Sequence, residues 1–276
     1  MYHGVEVTAY LVNESRARQP ELSRDLLARE WIPPQLRPQV SQMWQEYANM
    51  VYPHDDLVVS LRGRSILDEL SATLQQHPDA VLVFCGAGFT SYPWLLPART
   101  SVEVDLPHVV ETKQEWTARL VAAGTIPDRE VIPLALDLGE ADAREQLVQR
   151  IEQISAGRPV VYVAEGMIYY LPPPDAAAVA ELGQRLGAIR SLISYWPAEA
   201  ADNQVLAAQR TWFRKHSVPE DATYFTFQEL AARLGDGRQG WQVANLSLAE
   251  QQRRYLGEVR VPESELVPEH LAVASR

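Results

Sequence analysis

The sequence predicts an α/β fold: a mostly parallel sheet with helices on both faces, an antiparallel C-terminal hairpin and a helical N-terminal cap. Three observations carry this expectation. From about residue 80 onward, short apolar runs alternate with helix-length stretches; the residues before them show helical spacing and no convincing strand; and the run Val81-Leu82-Val83-Phe84-Cys85 stops abruptly on Gly86-Ala87-Gly88. Short strands separated by such helices imply right-handed crossovers and a parallel sheet covered on both faces.

Taken in order, Val7 to Arg18, Glu21 to Glu30, Gln35 to Met50 and Leu57 to Gln76 read as helices, broken by Pro20, Pro33-Pro34, Pro38 and Pro53. Strands follow at Ala80 to Cys85, Thr100 to Asp105, Glu130 to Leu136, Pro159 to Ala164 and Ser191 to Trp196. Helices at His108 to Ala123, Ala141 to Ile154 and Pro174 to Leu186 separate them. After a helix at Thr226 to Leu234, the runs Trp241 to Leu248 and Glu258 to Pro262 supply the expected hairpin, and Glu269 to Arg276 reads as a frayed end. The organisation expected is a cap over residues 1–77 and a cofactor-binding core over 78–276.

The 276 residues are 46% apolar, enough to bury one large core. A net charge of −11 without a basic run repels a phosphate backbone, which disfavours nucleic acid and anionic membranes as partners. Cys85 is the only cysteine, so neither an intramolecular disulfide nor a cysteine-based zinc cluster can form. No basic-then-apolar leader opens the chain, and no run approaches the roughly 20 apolar residues of a membrane span. A cytoplasmic location is expected, and the sequence gives no oligomeric state.

Ligands of open parallel sheets bind beyond the carboxyl ends of the strands. Gly86, Ala87 and Gly88 follow the first strand, Glu103 and Asp105 end the second, Asp137-Leu138 follows the third, and Glu165 follows the fourth. Glycines admit close backbone approach, and a downstream carboxylate accepts from ribose hydroxyls, so this is a nucleotide-type pocket. Ser91 stands where a dinucleotide fingerprint has its third glycine, which favours S-adenosylmethionine over a nicotinamide cofactor. Strand alternation puts Glu103 and Asp105 on one face, leaving open which of them reaches the sugar. Asp137 suits the adenine amino group, with Leu138 packing beside it, and Glu165 suits the amino or sulfonium end. Either Arg62 or Arg64 can pair with the methionine-derived carboxylate through two parallel bonds.

These residues resemble a known family. The Arg-Gly-Arg within Leu57 to Leu70, Cys85-Gly86-Ala87-Gly88-Phe89, Glu103-Val104-Asp105-Leu106-Pro107 leading to Lys113, Ala135-Leu136-Asp137-Leu138 and Ala164-Glu165-Gly166 through Tyr169-Tyr170-Leu171-Pro172 look like the leucine carboxyl methyltransferase family, which includes polyketide carboxyl O-methyltransferases. The opening Thr8-Ala9-Tyr10 to Arg18 and Arg24 to Ala28 is also similar to that family. The resemblance implies a Rossmann-like class I methyltransferase fold and S-adenosylmethionine bound by Arg62 or Arg64, Gly86, Asp105, Asp137, Leu138 and Glu165. It favours Asp105 over Glu103 for the ribose. The chain departs from the family at Thr90-Ser91, where an Asp-Thr pair usually stands, and a non-catalytic cofactor-binding or partner-binding relative is the alternative this departure keeps open.

Methyl transfer needs alignment in a dry pocket and no metal. A small-molecule carboxylic acid is the expected acceptor, already anionic at neutral pH and in need of no base. A protein C-terminal carboxylate is a further family-type acceptor. A hydroxyl would need proton removal, with His54, His108 or His216 as candidate bases. Tyr169, Tyr170 and Trp196 are the candidates for positioning the acceptor.

Overall fold

The computed structural model describes residues 5–215, 222–238 and 240–276. Four helices precede the first strand: α1 (Val5–Arg18), α2 (Pro20–Ser23), α3 (Arg37–Met50) and α4 (Asp55–Gln76). The α/β run then comprises β1 (Val81–Cys85), α5 (Tyr92–Leu95), β2 (Thr100–Asp105), α6 (Pro107–Ala122), β3 (Val131–Ala135), α7 (Ala141–Ser155), β4 (Val160–Ala164), α8 (Pro173–Arg185) and β5 (Arg190–Pro197). The chain closes with α9 (Gln204–Arg214), β6 (Tyr224–Phe225), α10 (Phe227–Leu234), β7 (Gln242–Leu246), α11 (Leu248–Leu256) and β8 (His270–Ser275).

The sheet order is β3-β2-β1-β4-β5-β8-β7, with the short β6 pairing on β5. Strands β1 to β5 are parallel, whereas β8 lies antiparallel between β5 and β7. Val81 of β1 stands opposite Thr100 of β2 and Val160 of β4, so chain order reverses across β1. That reversal opens the crevice in which open α/β sheets take ligands. Both faces of β1 and β4 are buried, which explains why they read as unbroken apolar runs rather than as alternating patterns.

Two expectations need correction at the C-terminal end. Residues 258–262 form no strand, and the strand inserted beside β5 is β8, within the segment expected to fray. Leu271, Ala272, Val273 and Ala274 are buried there. Small alanines on a terminal segment carry little strand propensity, and the neighbours on both sides supply the pairing instead. The helix expected over Glu21 to Glu30 is also interrupted: α2 ends because Arg24 takes a left-handed conformation (φ 54°), and a short 3-10 turn, Ala28–Trp31, follows.

The N-terminal helices pack on the β1 turn. Asn13 Nδ2 donates to the Phe89 carbonyl at 3.0 Å, Trp31 Nε1 donates to Ser91 Oγ at 3.0 Å, and the Tyr10 and Phe89 rings stack 4.9 Å apart. Among the described residues, no helix is long and apolar enough to cross a membrane.

Candidate cofactor and acceptor site

A cavity of about 300 Å³ lies where α1, α3 and α4 cover the ends of β1, β2 and β4. Gly86 and Gly88 form its floor with positive φ angles of 64° and 46°. A Cβ on Gly86 would stand 2.9 Å from Met167 Cβ, so backbone conformation and the neighbouring loop both demand glycine there. Beside this turn, Asp105 Oδ2 accepts from the Gly88 N–H and Oδ1 from the Leu106 N–H, each at 2.7 Å. Burial pushes the Asp105 carboxyl up, against the pull of those two donors. Asp137 and Leu138 line the same cavity; Asp137 is exposed and accepts from the Gly139 N–H at 2.9 Å, whereas Leu138 is buried.

Glu165, Arg62, Tyr169, Tyr170 and Trp196 also line the cavity, with Ala87 at the turn. Glu165 Oε1 accepts from Arg16 Nη2 at 2.5 Å and from Arg62 Nε at 2.6 Å, while Oε2 accepts from the Tyr92 hydroxyl at 2.6 Å. Burial alone would raise this carboxyl, yet Arg16 and Arg62 outweigh it and hold the group at about 2. Arg62 bridges onward from Nη1 to Glu269, which also accepts from Tyr169 at 2.7 Å. Neither Arg16 nor Glu269 was singled out in the sequence. Arg16 sits on α1 in a polar run, Asn13-Glu14-Ser15-Arg16, that is buried throughout, and the low amphipathicity of that helix was the one available signal. Glu269 fell within the supposed frayed end.

Two expected residues stand elsewhere. Arg64 lies outside the cavity, donating from Nε to Asp68 Oδ1 at 2.9 Å with its guanidinium over the Tyr255 ring, because two positions along a helix rotate a side chain to another face. Glu103 accepts from Lys113 Nζ at 2.6 Å and faces a neighbouring cavity of about 480 Å³. It shares a strand face with Asp105 but sits one pleat deeper, under α6, where Lys113 reaches it. Of the histidines, His54 precedes α4, His108 is exposed on α6, and neither lines the cavity; His216 lies outside the described residues.

The Thr90-Ser91 departure divides in two. Ser91 is the partner of Trp31, whereas Thr90 lines the cavity, and its Oγ1 is buried with no hydrogen-bond partner. Arg16 Nε and Nη1 are likewise buried without hydrogen bonds, although Nη1 lies 3.7 Å from Asp25 Oδ2. Such orphaned donors beside a glycine cradle fit a polar ligand that completes them. At the far end the walls become aromatic: Trp196 stacks on Tyr169 at 4.2 Å, and Tyr47 stacks on Phe213 at 5.7 Å. Among the described residues, no group of three or more metal-ligating side chains is assembled.

Comparison with known proteins agrees with this geometry. A protein of Mycobacterium marinum named "Putative S-adenosyl-L-methionine-dependent methyltransferase" is 26% identical over 268 residues, covering 88% of this chain and 84% of its own. A relative of the same name from Mycolicibacterium paratuberculosis is 25% identical over 307 residues, covering 99% of this chain and 94% of its own. The crystal structure of a "putative methyltransferase from Thermobifida fusca YX" superposes with a TM-score of 0.60 at 13% identity, covering 86% of this chain and 88% of that one. The profile described as leucine carboxyl methyltransferase matches residues 5–182, which span the N-terminal helices, the glycine turn and all the strand-end acids. The chain is therefore an S-adenosylmethionine-dependent methyltransferase and belongs to the leucine carboxyl methyltransferase family.

Proposed function

We propose that this enzyme methylates an oxygen of a small molecule seated in the aromatic end of the cavity. One observation carries the reading: the turn after β1, Asp105, Asp137, Glu165, Arg16 and Thr90 all line a single cavity that continues into the Tyr47, Tyr170, Trp196 and Phe213 walls, and Arg16 and Thr90 also carry buried polar atoms without hydrogen bonds. In this reading Asp105 holds the ribose diol over the Gly86-Ala87-Gly88 backbone, and Asp137 with Leu138 holds the adenine. The amino-acid carboxylate falls to Arg16, whose Nε and Nη1 make no hydrogen bond. Arg62 is a weaker candidate for it, since its Nε and Nη1 are already held by Glu165 and Glu269. Thr90 Oγ1 takes the polar role of the carboxylate that this chain lacks. When bound, S-adenosylmethionine supplies a methyl group on a cationic sulfur, open to in-line attack by the acceptor oxygen. The task of the surrounding side chains is to align donor and acceptor and exclude water.

The carboxylate acceptor expected from the sequence meets an acidic field here. Asp55 and Glu269 border the cavity, and Arg62 is engaged by two carboxylates, so a neutral oxygen acceptor suits the cavity better than an anionic one. Calorimetry with S-adenosylhomocysteine tests the cofactor assignment. Binding should occur, and Asp105→Ala should weaken it by about 1.5–3 kcal/mol, the scale of a lost charged acceptor. Unchanged affinity in the folded variant removes Asp105 from the site.

A further inference from the structure

Asp55 is a buried carboxylate that the cofactor reading leaves unused. It is 8% exposed, lines the cavity, and begins α4, where the helix N-terminus favours an anion. Among the described residues it forms no ion pair; hydroxyls hold it instead. Ser15 Oγ donates to Oδ2 at 2.6 Å, and the Tyr52 hydroxyl donates to Oδ1 at 3.0 Å. Trp44 Nε1 donates to Ser15 Oγ at 2.8 Å, which turns the serine proton toward the aspartate. Gln209 Nε2 likewise donates to the Tyr47 hydroxyl at 2.8 Å, and Tyr47 faces the same carboxylate.

The groups facing Asp55 come from every element packed around it: Ser15 on α1, Tyr47 on α3, Tyr52 in the following turn, Arg62 on α4, Tyr170 after β4 and Glu269 before β8. Arg62 is the only cation of the set, and it is spent on Glu165 and Glu269. Burial therefore raises the Asp55 carboxyl, with the two hydroxyls and distant Arg62 opposing it only in part.

A second, independent observation points to a protic ligand. Trp196 and Gln209 line the cavity, and each carries a buried polar atom, Trp196 Nε1 and Gln209 Oε1, without a hydrogen-bond partner. The first needs an acceptor and the second needs a donor. A hydroxyl supplies both, whereas a carboxylate has no hydrogen to give Gln209.

Resting on the O-methyltransferase reading above, we propose that the acceptor is an aromatic hydroxyl compound and that Asp55, through the Tyr52 hydroxyl, receives its proton. The acceptor proton passes to the Tyr52 oxygen as the Tyr52 proton passes to Asp55 Oδ1. The acceptor oxygen forms the new O–CH₃ bond, the S–CH₃ bond breaks with its electron pair remaining on sulfur, and S-adenosylhomocysteine leaves. Asp55 then returns one proton to solvent, which balances the reaction. An already anionic carboxylate acceptor would leave Asp55 without a task and add a third negative charge beside it and Glu269.

The test compares 2-naphthol with 2-naphthoate on protein loaded with S-adenosylhomocysteine, by calorimetry, and then with S-adenosylmethionine, by mass spectrometry of the product. Naphthol should bind at least tenfold more tightly and yield the base-stable methyl ether. Asp55→Asn should lower kcat on naphthol by at least about 100-fold, the low end for loss of a general base, and abolish the acid limb of the kcat profile. Its affinity for S-adenosylhomocysteine should stay within threefold, which also certifies folding; if that variant does not fold, Tyr52→Phe takes its place, and it too should lower kcat while sparing cofactor binding. Naphthoate binding as tightly as naphthol, binding of neither, or a pH profile unchanged in a folded variant overturns the proposal. Failure of S-adenosylhomocysteine to bind at all would instead sink the cofactor assignment, so the two outcomes are separable.

Discussion

Replacing Glu165 with glutamine isolates the charge web that ties the N-terminal helices to the sheet. Glu165 is the common acceptor for Arg16 of α1, Arg62 of α4 and Tyr92 of α5, and the exposures of the Arg16, Arg62 and Glu165 side chains are 1%, 5% and 6%. Glutamine keeps the shape but removes the charge and turns one acceptor into a donor facing donors. Removing one partner of a buried ion pair costs about 3–5 kcal/mol, because the other charge stays buried. Arg62 keeps Glu269, and Arg16 keeps the Tyr92 hydroxyl at 3.0 Å and Asp25 at 3.7 Å, so the lower half of that range is expected. For a chain of this size about 3–4 kcal/mol corresponds to a melting point lower by roughly 6–16 °C. Urea unfolding at neutral pH measures it, provided the slope with denaturant is unchanged. A second check is acid stability. The folded carboxyl titrates at about 2 against 4.5 unperturbed, so its contribution is complete above about 4.5 and disappears as pH falls toward 2. Glu165→Gln should remove that part of the acid dependence. A loss below about 1 kcal/mol, with the acid profile unaltered, would refute the reasoning.

Two further substitutions separate residues that look equivalent in sequence. Gly86→Ala should cost about 2–4 kcal/mol, combining about 1–2 for a left-handed alanine with about 1–2 for the contact at Met167, whereas Gly88→Ala, whose nearest neighbour is Ala9 Cβ at 3.5 Å, should cost only the first part. Equal losses in thermal unfolding would contradict the cradle geometry. Arg64→Ala should leave S-adenosylhomocysteine affinity within twofold and cost no more than about 1–2 kcal/mol of stability, since it removes an i,i+4 pair with Asp68 and the contact of the guanidinium with the Tyr255 ring; a tenfold weaker titration would return Arg64 to the site.

β1 and β4 were legible because strands buried on both faces must be apolar along their whole length, β2 because its valines alternate with polar residues up to the acid at its end, and the glycine turn because its backbone admits little else. β1, β2 and β4 accordingly fall within a residue of their expected bounds. The strand-end acids were legible for a related reason: polar groups at the carboxyl ends of buried strands have one crevice to face. Where two acids or two arginines shared a neighbourhood, spacing alone could not choose. Lys113, ten residues beyond Glu103, claims that acid, and helix rotation, rather than residue type, separates Arg62 from Arg64.

What stayed hidden is polar and held by tertiary contacts. Arg16, Asp55 and Glu269 belong to a helix, a helix start and a tail, places where charged residues ordinarily face water, so each reads as surface when taken singly. Their burial is collective. Arg62 is stable inside because Glu165 and Glu269 flank it, Glu165 because Arg16 and Arg62 do, and Tyr169 satisfies the remaining Glu269 oxygen. No one of these residues could be buried without the others, so the web appears only when α1, α4, the β4 end and the β8 strand are brought together. Asp55 differs in kind: hydroxyls solvate it, among the described residues it forms no ion pair, and Arg62 offsets its burial only in part, so that burial opposes folding and points to a function. That asymmetry within one cavity is the reason for assigning the arginine web to structure and cofactor, and the lone aspartate to the acceptor.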